Sequence, residues 1–292
     1  MNVIIRQLRP HQWVKNVLLF APMILAHQIG DITKWIDLLA AFVAFCFTAS
    51  AIYTINDLTD TTWDQTHPTK KMRPIASGAL SMGQASILIA VLLTAAATIV
   101  VVMELHDFLL WLLAYLAVTT LYTVWLRRLV LIDVLVLALL YALRIVAGAE
   151  AVDVAVSPWL LAFSLFLFTS LAFLKRFTEL RDTIEREGRK VSGRGYHVGD
   201  ADFIKVTGPS LGFMAVVVFV LYLNSKEVGL LYTYPERLWL VVPIVLYWVT
   251  RIWLKAYRGR MHEDPIVFTV QDGASYVVAV LSIVVLQLAG PR

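Results

Sequence analysis

The sequence predicts an all-α polytopic membrane protein, and three observations carry that reading. Of its 292 residues 59% are hydrophobic and only 16% are charged, against roughly 25% charged in soluble domains. Its mean hydropathy of +0.74 is spread along the whole chain as repeated apolar runs. The charges gather in the intervals between those runs. Nine candidate spans follow in order, near 14–29, 36–56, 84–103, 107–126, 129–149, 157–175, 206–225, 236–255 and 267–289. Most approach the roughly 17–25 apolar residues a helix needs to cross a bilayer. The first is short and begins as an interfacial segment around Trp13. No large soluble domain fits between the spans, so residues 1–292 read as one transmembrane domain with loops near 57–83 and 176–205.

Basic residues orient the chain. Arg6, Arg9, Lys15, then Lys70, Lys71, Arg73, then Arg127, Arg128, then the stretch from Lys175 to Lys205 and finally Arg251, Lys255, Arg258, Arg260 fall on one side. The other side holds Lys34, Lys226, Arg237 and Arg292. The excess of cations puts the first side, with the N-terminus, in the cytoplasm, and nine spans put the C-terminus outside. The pI of about 9.1 then reflects topology and anionic ligands such as lipid headgroups, with no argument for nucleic acid. No apolar stretch ending in a cleavage site precedes the first span, so no cleaved leader is expected. A single cysteine, Cys46, excludes an intrachain disulfide and a cysteine-based metal cluster. A charged loop after the second span is echoed by another after the sixth. Oligomeric state is not legible, and a homo-oligomer stays open.

The chemistry starts where the second span ends. Asn56, Asp57, Asp60 and Asp64 have helical spacings of three and four, which put the carboxylates on one face. Carboxylates that close repel one another unless a cation lies between them. Oxygen-only ligands suit Mg2+, which keeps positions for water and phosphate oxygens. Asn56 adds a neutral oxygen. A basic loop follows at once, His67, Pro68, Thr69, Lys70, Lys71, Met72, Arg73, Pro74, so that metal-binding acids and phosphate-binding cations together make a diphosphate site. The blander alternative is a loop that is acidic only for solubility.

Further constellations have both a functional and a structural reading. Lys175, Arg176, Glu179 and Asp182 at the end of the sixth span form either a second wall of the diphosphate site or juxtamembrane salt bridges. Arg144 lies within the fifth span, where a charge costs roughly 2.5–3.5 kcal/mol on insertion scales. It must face the interior, toward a carboxylate or a substrate phosphate. Asp133 and Asp272 carry the same ambiguity. Arg127 and Arg128 bind phosphate or anchor the topology. The N-terminal run Leu8, Arg9, Pro10, His11, Gln12, Trp13, Val14, Lys15, Asn16 reads as a headgroup-level anchor, with Lys15 and Asn16 as candidate substrate contacts. Gly193, Arg194, Gly195, Tyr196 and His197 are glycine-rich and basic enough to close over a phosphate, with Tyr196 a candidate contact, yet lack the strand-to-helix setting of a phosphate loop. No histidine pairing suggests zinc.

The pattern Asn56-Asp57-x-x-Asp60-x-x-x-Asp64 on the second helix of a cytoplasm-first bundle resembles the UbiA-type intramembrane prenyltransferase superfamily, whose members use two acidic motifs and Mg2+ to bind a diphosphate and transfer the group attached to it. Three segments are most similar to the decaprenyl-phosphate phosphoribosyltransferase branch: RPHQWVKN from Arg9, the run from Asn56 through HPTKKMRPIASG, and KRFTEL from Lys175. Tyr141 to Gly148, with Arg144, is similar as well. That resemblance implies transfer of 5-phosphoribose from phosphoribosyl diphosphate to a polyprenyl phosphate, with release of diphosphate. It implies Mg2+ on Asp57, Asp60 and Asp64 and catalytic roles for Lys70 and Arg73. It further implies substrate contacts from Asn56, Lys71, Arg127, Arg144, Lys175, Arg176, Glu179 and Tyr196. Prenyltransferases usually carry a second Asp-x-x-x-Asp motif, whereas this chain has Glu179 and Asp182. Fewer acids and more cations suit substrates with additional phosphates. The alternative is an aromatic prenyltransferase joining a polyprenyl diphosphate to an acceptor such as 4-hydroxybenzoate. A transporter is disfavoured, because its ligands would sit near the midplane and these acids cluster at one face.

Overall fold

The computed structural model describes residues 3–66, 69–186, 195–261 and 264–290, with the side chains of 183–186 excepted. His67, Pro68, Gly193 and Arg194 lie outside the described residues. The helices in chain order are α1 (Val3–Leu8), α2 (Ala21–Leu25), α3 (Ile32–Thr59), α4 (Thr61–Thr66), α5 (Met82–Val102), α6 (His106–Val124), α7 (Ile132–Glu150), α8 (Pro158–Arg186), α9 (Asp200–Leu223), α10 (Val228–Leu231), α11 (Val241–Tyr257), α12 (Pro265–Gln271) and α13 (Gly273–Leu288). Four 3-10 stretches, Pro10–Phe20, Lys70–Met72, Leu126–Arg128 and Pro235–Leu240, complete the described structure. No strand occurs among the described residues.

Among the described residues seven helices are long and apolar enough to cross a bilayer, one of them α11 together with the 3-10 stretch Pro235–Leu240, and α12 with α13 would form an eighth passage bent by 83°. The chain is an integral multi-pass membrane protein. The stretch expected as the first span is the 3-10 segment Pro10–Phe20 continued by α2, and is not one of the long apolar helices. Pro10 fixes φ at the first turn of that segment and Pro22 removes a donor at the start of α2, so one uninterrupted α-helix is disfavoured.

Local signals set the helix starts. Asp31 caps α3 by accepting from the Thr33 and Lys34 amides, and the bond from the Thr33 hydroxyl, with that from Lys34 N, holds its carboxyl below the usual carboxylate range. Ser81 and Gln84 form a reciprocal capping box at α5. Asp264 and Asp272 cap α12 and α13.

The chain divides into two compact units. The first comprises Met1–Ile24, Gln28–Val124 and Leu143–Ala155; the second comprises Leu25–His27, Trp125–Ala142 and Val156–Arg292. In the first, α5 and α6 pack on α3 around Phe45, Phe108 and Tyr115, the rings of Phe45 and Tyr115 lying 4.4 Å apart. Small residues Ala41, Ala44 and Ala49 on α3 are buried and permit close helix approach. Gly148 of α7 is obligatory at its position, since a Cβ there would meet the Leu19 backbone at 2.0 Å. In the second unit α8 packs on α9, and α11 on both. A Cβ at Gly208 would meet the Trp253 ring at 2.2 Å. Apolar residues such as Ile87, Val91 and Leu110 are exposed, the pattern expected where lipid replaces water.

Candidate active site

In the first unit, α3 carries its helical register through Asp57 and ends at Thr59, with Asp60 as its cap, whose backbone N donates to Asn56 O at 3.0 Å. The Asp64 backbone N donates to Asp60 O at 2.8 Å, so α4 resumes almost directly. Asp57 and Asp64 are drawn together by one guanidinium. Arg73 Nη1 donates to Asp57 Oδ1 at 3.0 Å and to Asp64 Oδ2 at 2.6 Å. Arg9 Nη2 lies 2.6 Å from both oxygens of Asp57, and Gln7 Nε2 donates to Asp57 Oδ2 at 3.0 Å. The carboxylates are sealed, 2% and 1% exposed, while Arg9 and Arg73 retain 21% and 28% exposure. Acids buried behind cations that still reach solvent can exchange those cations for a ligand without unfolding anything.

The backbone explains how Arg9 arrives there. Arg9 is a non-glycine residue with φ 52° and ψ 58°, a left-handed conformation that L-residues rarely adopt. It turns the chain between α1 and the 3-10 segment. Pro10 then starts that segment. Arg6 donates to Met72 O at 2.8 Å, tying α1 to the basic turn Lys70–Met72. In that turn Lys71 is exposed and Lys70 half-buried.

Gln7 and Arg9 are the residues the sequence reading missed at this site, though Arg9 stood in a segment it singled out. A signal existed. Cys46, Ser50, Thr54 and Asp57 fall at helical spacing along a span that is otherwise apolar, a polar stripe that needs partners. The N-terminal segment supplies them. Asn16 Nδ2 reaches Cys46 Sγ at 3.2 Å, Trp13 Nε1 donates to Ser50 Oγ at 3.0 Å, and Ser50 Oγ donates to Leu8 O at 2.8 Å. Lys15 and Asn16 are buried in this segment. Arg144 Nε donates to Asn16 Oδ1 at 3.0 Å.

The remaining candidates belong to the second unit. Arg176 Nε lies 2.8 Å from Asp133 Oδ2, close enough for an ion pair but not aligned as a hydrogen bond, and Arg176 also pairs with Glu179. Tyr196 donates to Asp133 Oδ1 at 2.7 Å and accepts from Leu131 N at 3.0 Å. Burial, then the neighbouring Asp133, raises the Tyr196 hydroxyl above the ordinary tyrosine range, so it stays a donor. Gly195 is pressed against the Arg128 carbonyl, which an added Cβ would approach to 2.8 Å. Lys175 pairs with Asp264 at 2.9 Å. Asp272 is held by Arg251 and Lys255 at 2.6 and 2.7 Å. Arg127 is half-buried in the turn Leu126–Arg128.

Asp60 does not join Asp57 and Asp64 in one three-carboxylate cluster. Among the described residues no three His, Cys, Asp or Glu side chains are placed to hold a metal together. The donor set nonetheless fits a hard cation. Asp64 Oδ1 and Asn56 Oδ1 are buried oxygens without a hydrogen-bond partner, and the Arg73 guanidinium sits between two carboxylates where a cation would otherwise balance them.

Comparison with known proteins follows the same outline. The UbiA prenyltransferase family matches residues 17–270. A Sinorhizobium fredii protein designated y4nM is 36% identical over 277 residues, 94% of this chain and 53% of that protein. The chain therefore spans about half the length of that relative. Nodulation protein NoeC of Azorhizobium caulinodans is 35% identical over 273 residues, 92% of this chain and 87% of NoeC. Decaprenyl-phosphate phosphoribosyltransferase of Mycolicibacterium smegmatis is 36% identical over 193 residues, 64% of this chain and 60% of that enzyme. Among solved structures, a UbiA homolog from Archaeoglobus fulgidus bound to GPP and Mg2+ superposes with a TM-score of 0.72 at 15% identity, covering 98% of this chain and 100% of that one. At that identity the likeness speaks for the fold alone.

Proposed function

This chain belongs to the UbiA prenyltransferase family, and within it we propose that it transfers 5-phosphoribose from phosphoribosyl diphosphate to a polyprenyl phosphate at the cytoplasmic face of a bacterial plasma membrane. The observation that carries the reading is the pair of buried carboxylates, Asp57 and Asp64, bridged by Arg73 and backed by Arg9. It supplies acids for a cation and guanidiniums for phosphate at one end of a membrane helix. The choice of sugar donor over prenyl donor rests on the similarity to decaprenyl-phosphate phosphoribosyltransferases. It rests also on a second motif in which Glu179 is already paired with Arg176.

Asp57 and Asp64, with the Asn56 Oδ1 oxygen, would hold Mg2+. That ion, when bound, supplies positive charge that stabilises diphosphate as a leaving group. Arg73 and Arg9 would orient the diphosphate and take up the negative charge that grows as it departs from the anomeric carbon. Preorganised donors of this kind lower the barrier because they need not reorganise during the reaction. Lys70 and Lys71 lie on the adjoining turn and would attract the remaining phosphate charge. The acceptor phosphate is a monoester with a second pKa of about 6, already ionised near neutrality, so no side chain has to remove its proton. The polyprenyl tail stays among lipids against the apolar outer faces of the helices.

Purified protein in lipid with Mg2+ tests the proposal in two reactions. One offers phosphoribosyl diphosphate with polyprenyl phosphate; the other offers prenyl diphosphate with 4-hydroxybenzoate. A phosphoribosylated lipid from the first alone is the expected result. Prenylated benzoate from the second alone would reject the sugar-transfer reading in favour of aromatic prenyl transfer.

A further inference from the structure

Arg144 is a charge well inside α7, and its sequence position leaves open whether it meets substrate or another helix. The structure surrounds it. It is 4% exposed, donates from Nε to Asn16 Oδ1 and from Nη2 to the Tyr115 hydroxyl, both at 3.0 Å. Its guanidinium carbon lies 4.8 Å from the Tyr115 ring centroid and 5.4 Å from that of Phe45. Two bonds and two ring faces fix this guanidinium in a single place. Asn16 is therefore held from two sides, by Arg144 and by Cys46 of α3.

The same 3-10 segment is attached to α3 at further points. Trp13 and the Leu8 carbonyl share Ser50, and Gln7 and Arg9 close on Asp57. Cys46, Ser50 and Asp57 are spaced by four and seven residues, one face of one helix. The segment thus lies along α3 with Arg144 clamping its inner end and Asp57 receiving its outer end. From Pro10 to Asn16 a 3-10 helix rises about 12 Å at roughly 2.0 Å per residue. A slip at Asn16 passes along that rod to Arg9.

We propose that Arg144 is a positioning residue: acting through Asn16, it fixes the register of Pro10–Phe20 on α3 and so places the Arg9 guanidinium against Asp57. It touches neither diphosphate nor acceptor. Misplacement of a reacting group by about 1 Å can cost on the order of 10²-fold in rate, so a remote clamp has catalytic consequences. The inference rests on the Asp57 cluster being the diphosphate site, and does not depend on which group the diphosphate carries.

The test uses the full chain in detergent–lipid micelles, with inorganic pyrophosphate plus Mg2+ as the binding probe read by calorimetry. Turnover is measured in parallel with whichever donor is accepted. Arg144→Gln, Asn16→Leu and Arg9→Ala are each expected to weaken pyrophosphate binding about tenfold. The deciding variant is the double Arg144→Gln/Arg9→Ala, expected to bind within about twofold of Arg9→Ala alone, because interacting sites are not additive. Arg144→Lys, which keeps a donor toward Asn16, is expected to recover part of the loss. If Arg144→Gln fails to fold, Asn16→Leu takes its place in the cycle, since it leaves the Arg144–Tyr115 bond intact. Fully additive losses, or unchanged binding in Arg144→Gln and Asn16→Leu, would overturn the clamp and leave the diphosphate site standing. No pyrophosphate binding by the unaltered protein would instead overturn the site, and the clamp with it.

Discussion

Two clusters of acid and guanidinium, one in each compact unit, use the same chemistry in opposite settings. In the first unit Asp57 and Asp64 are buried, but the arginines that balance them reach solvent at 21% and 28%. In the second, Asp133 and Arg176 are both sealed, at 0% and 1%, and the Tyr196 hydroxyl caps the remaining carboxylate oxygen. Exposure of the cation separates a cluster whose ion pairs can trade partners from one whose charges are closed off. Removing one partner of a buried pair leaves an uncompensated charge, whereas a half-exposed arginine can follow its ligand.

Substitutions sharpen that contrast. Asp57→Asn should abolish most turnover, on the order of 10³-fold, because it discharges the acid that receives Arg9, Arg73 and Gln7; the protein should still elute as a folded species. Retention of full Mg2+-dependent activity would remove Asp57 from the chemistry. Arg176→Met should act mainly on stability, costing about 3–5 kcal/mol as expected for breaking a buried ion pair, and thermal unfolding in lipid measures it. A Tm equal to that of the unaltered protein would show the second cluster to be dispensable for folding. Arg73→Ala should lower kcat/KM by on the order of 10²-fold, with Arg73→Lys intermediate because an ammonium cannot bridge two carboxylates in the same planar way. Equal activity of the Ala and Lys variants would argue against the bridge. The smallest effect belongs to Tyr196→Phe, which removes one hydrogen bond to Asp133 and should cost about 1 kcal/mol of stability while activity holds. A large loss of turnover with unaltered Tm would move Tyr196 into the active site.

Much of the architecture was legible before any coordinates. Long apolar runs must be helical in lipid, because no other local structure satisfies every backbone amide from within one segment, and α3, α5, α6 and α9 lie close to the expected spans. The run from Asn56 to Asp64 marked the candidate site, because acids are rare beside an apolar helix and their spacing is read directly. The 3-10 form of Pro10–Phe20 was not legible. Its hydropathy suits a span, and only the bonds to Cys46 and Ser50 and the two prolines give it another shape.

What the sequence determined by itself is therefore what depends on neighbours along the chain: helix content, membrane insertion, and the close succession of acids and cations from Asn56 to Arg73. The tertiary structure decided which charges meet. Arg9 and Asp57 are separated by 48 residues, Arg144 and Asn16 by 128, and Tyr196 and Asp133 by 63, distances over which no helical periodicity carries information. An ion pair inside a membrane protein forms because desolvated charge must find a partner, and which partner it finds is set by how the helices pack.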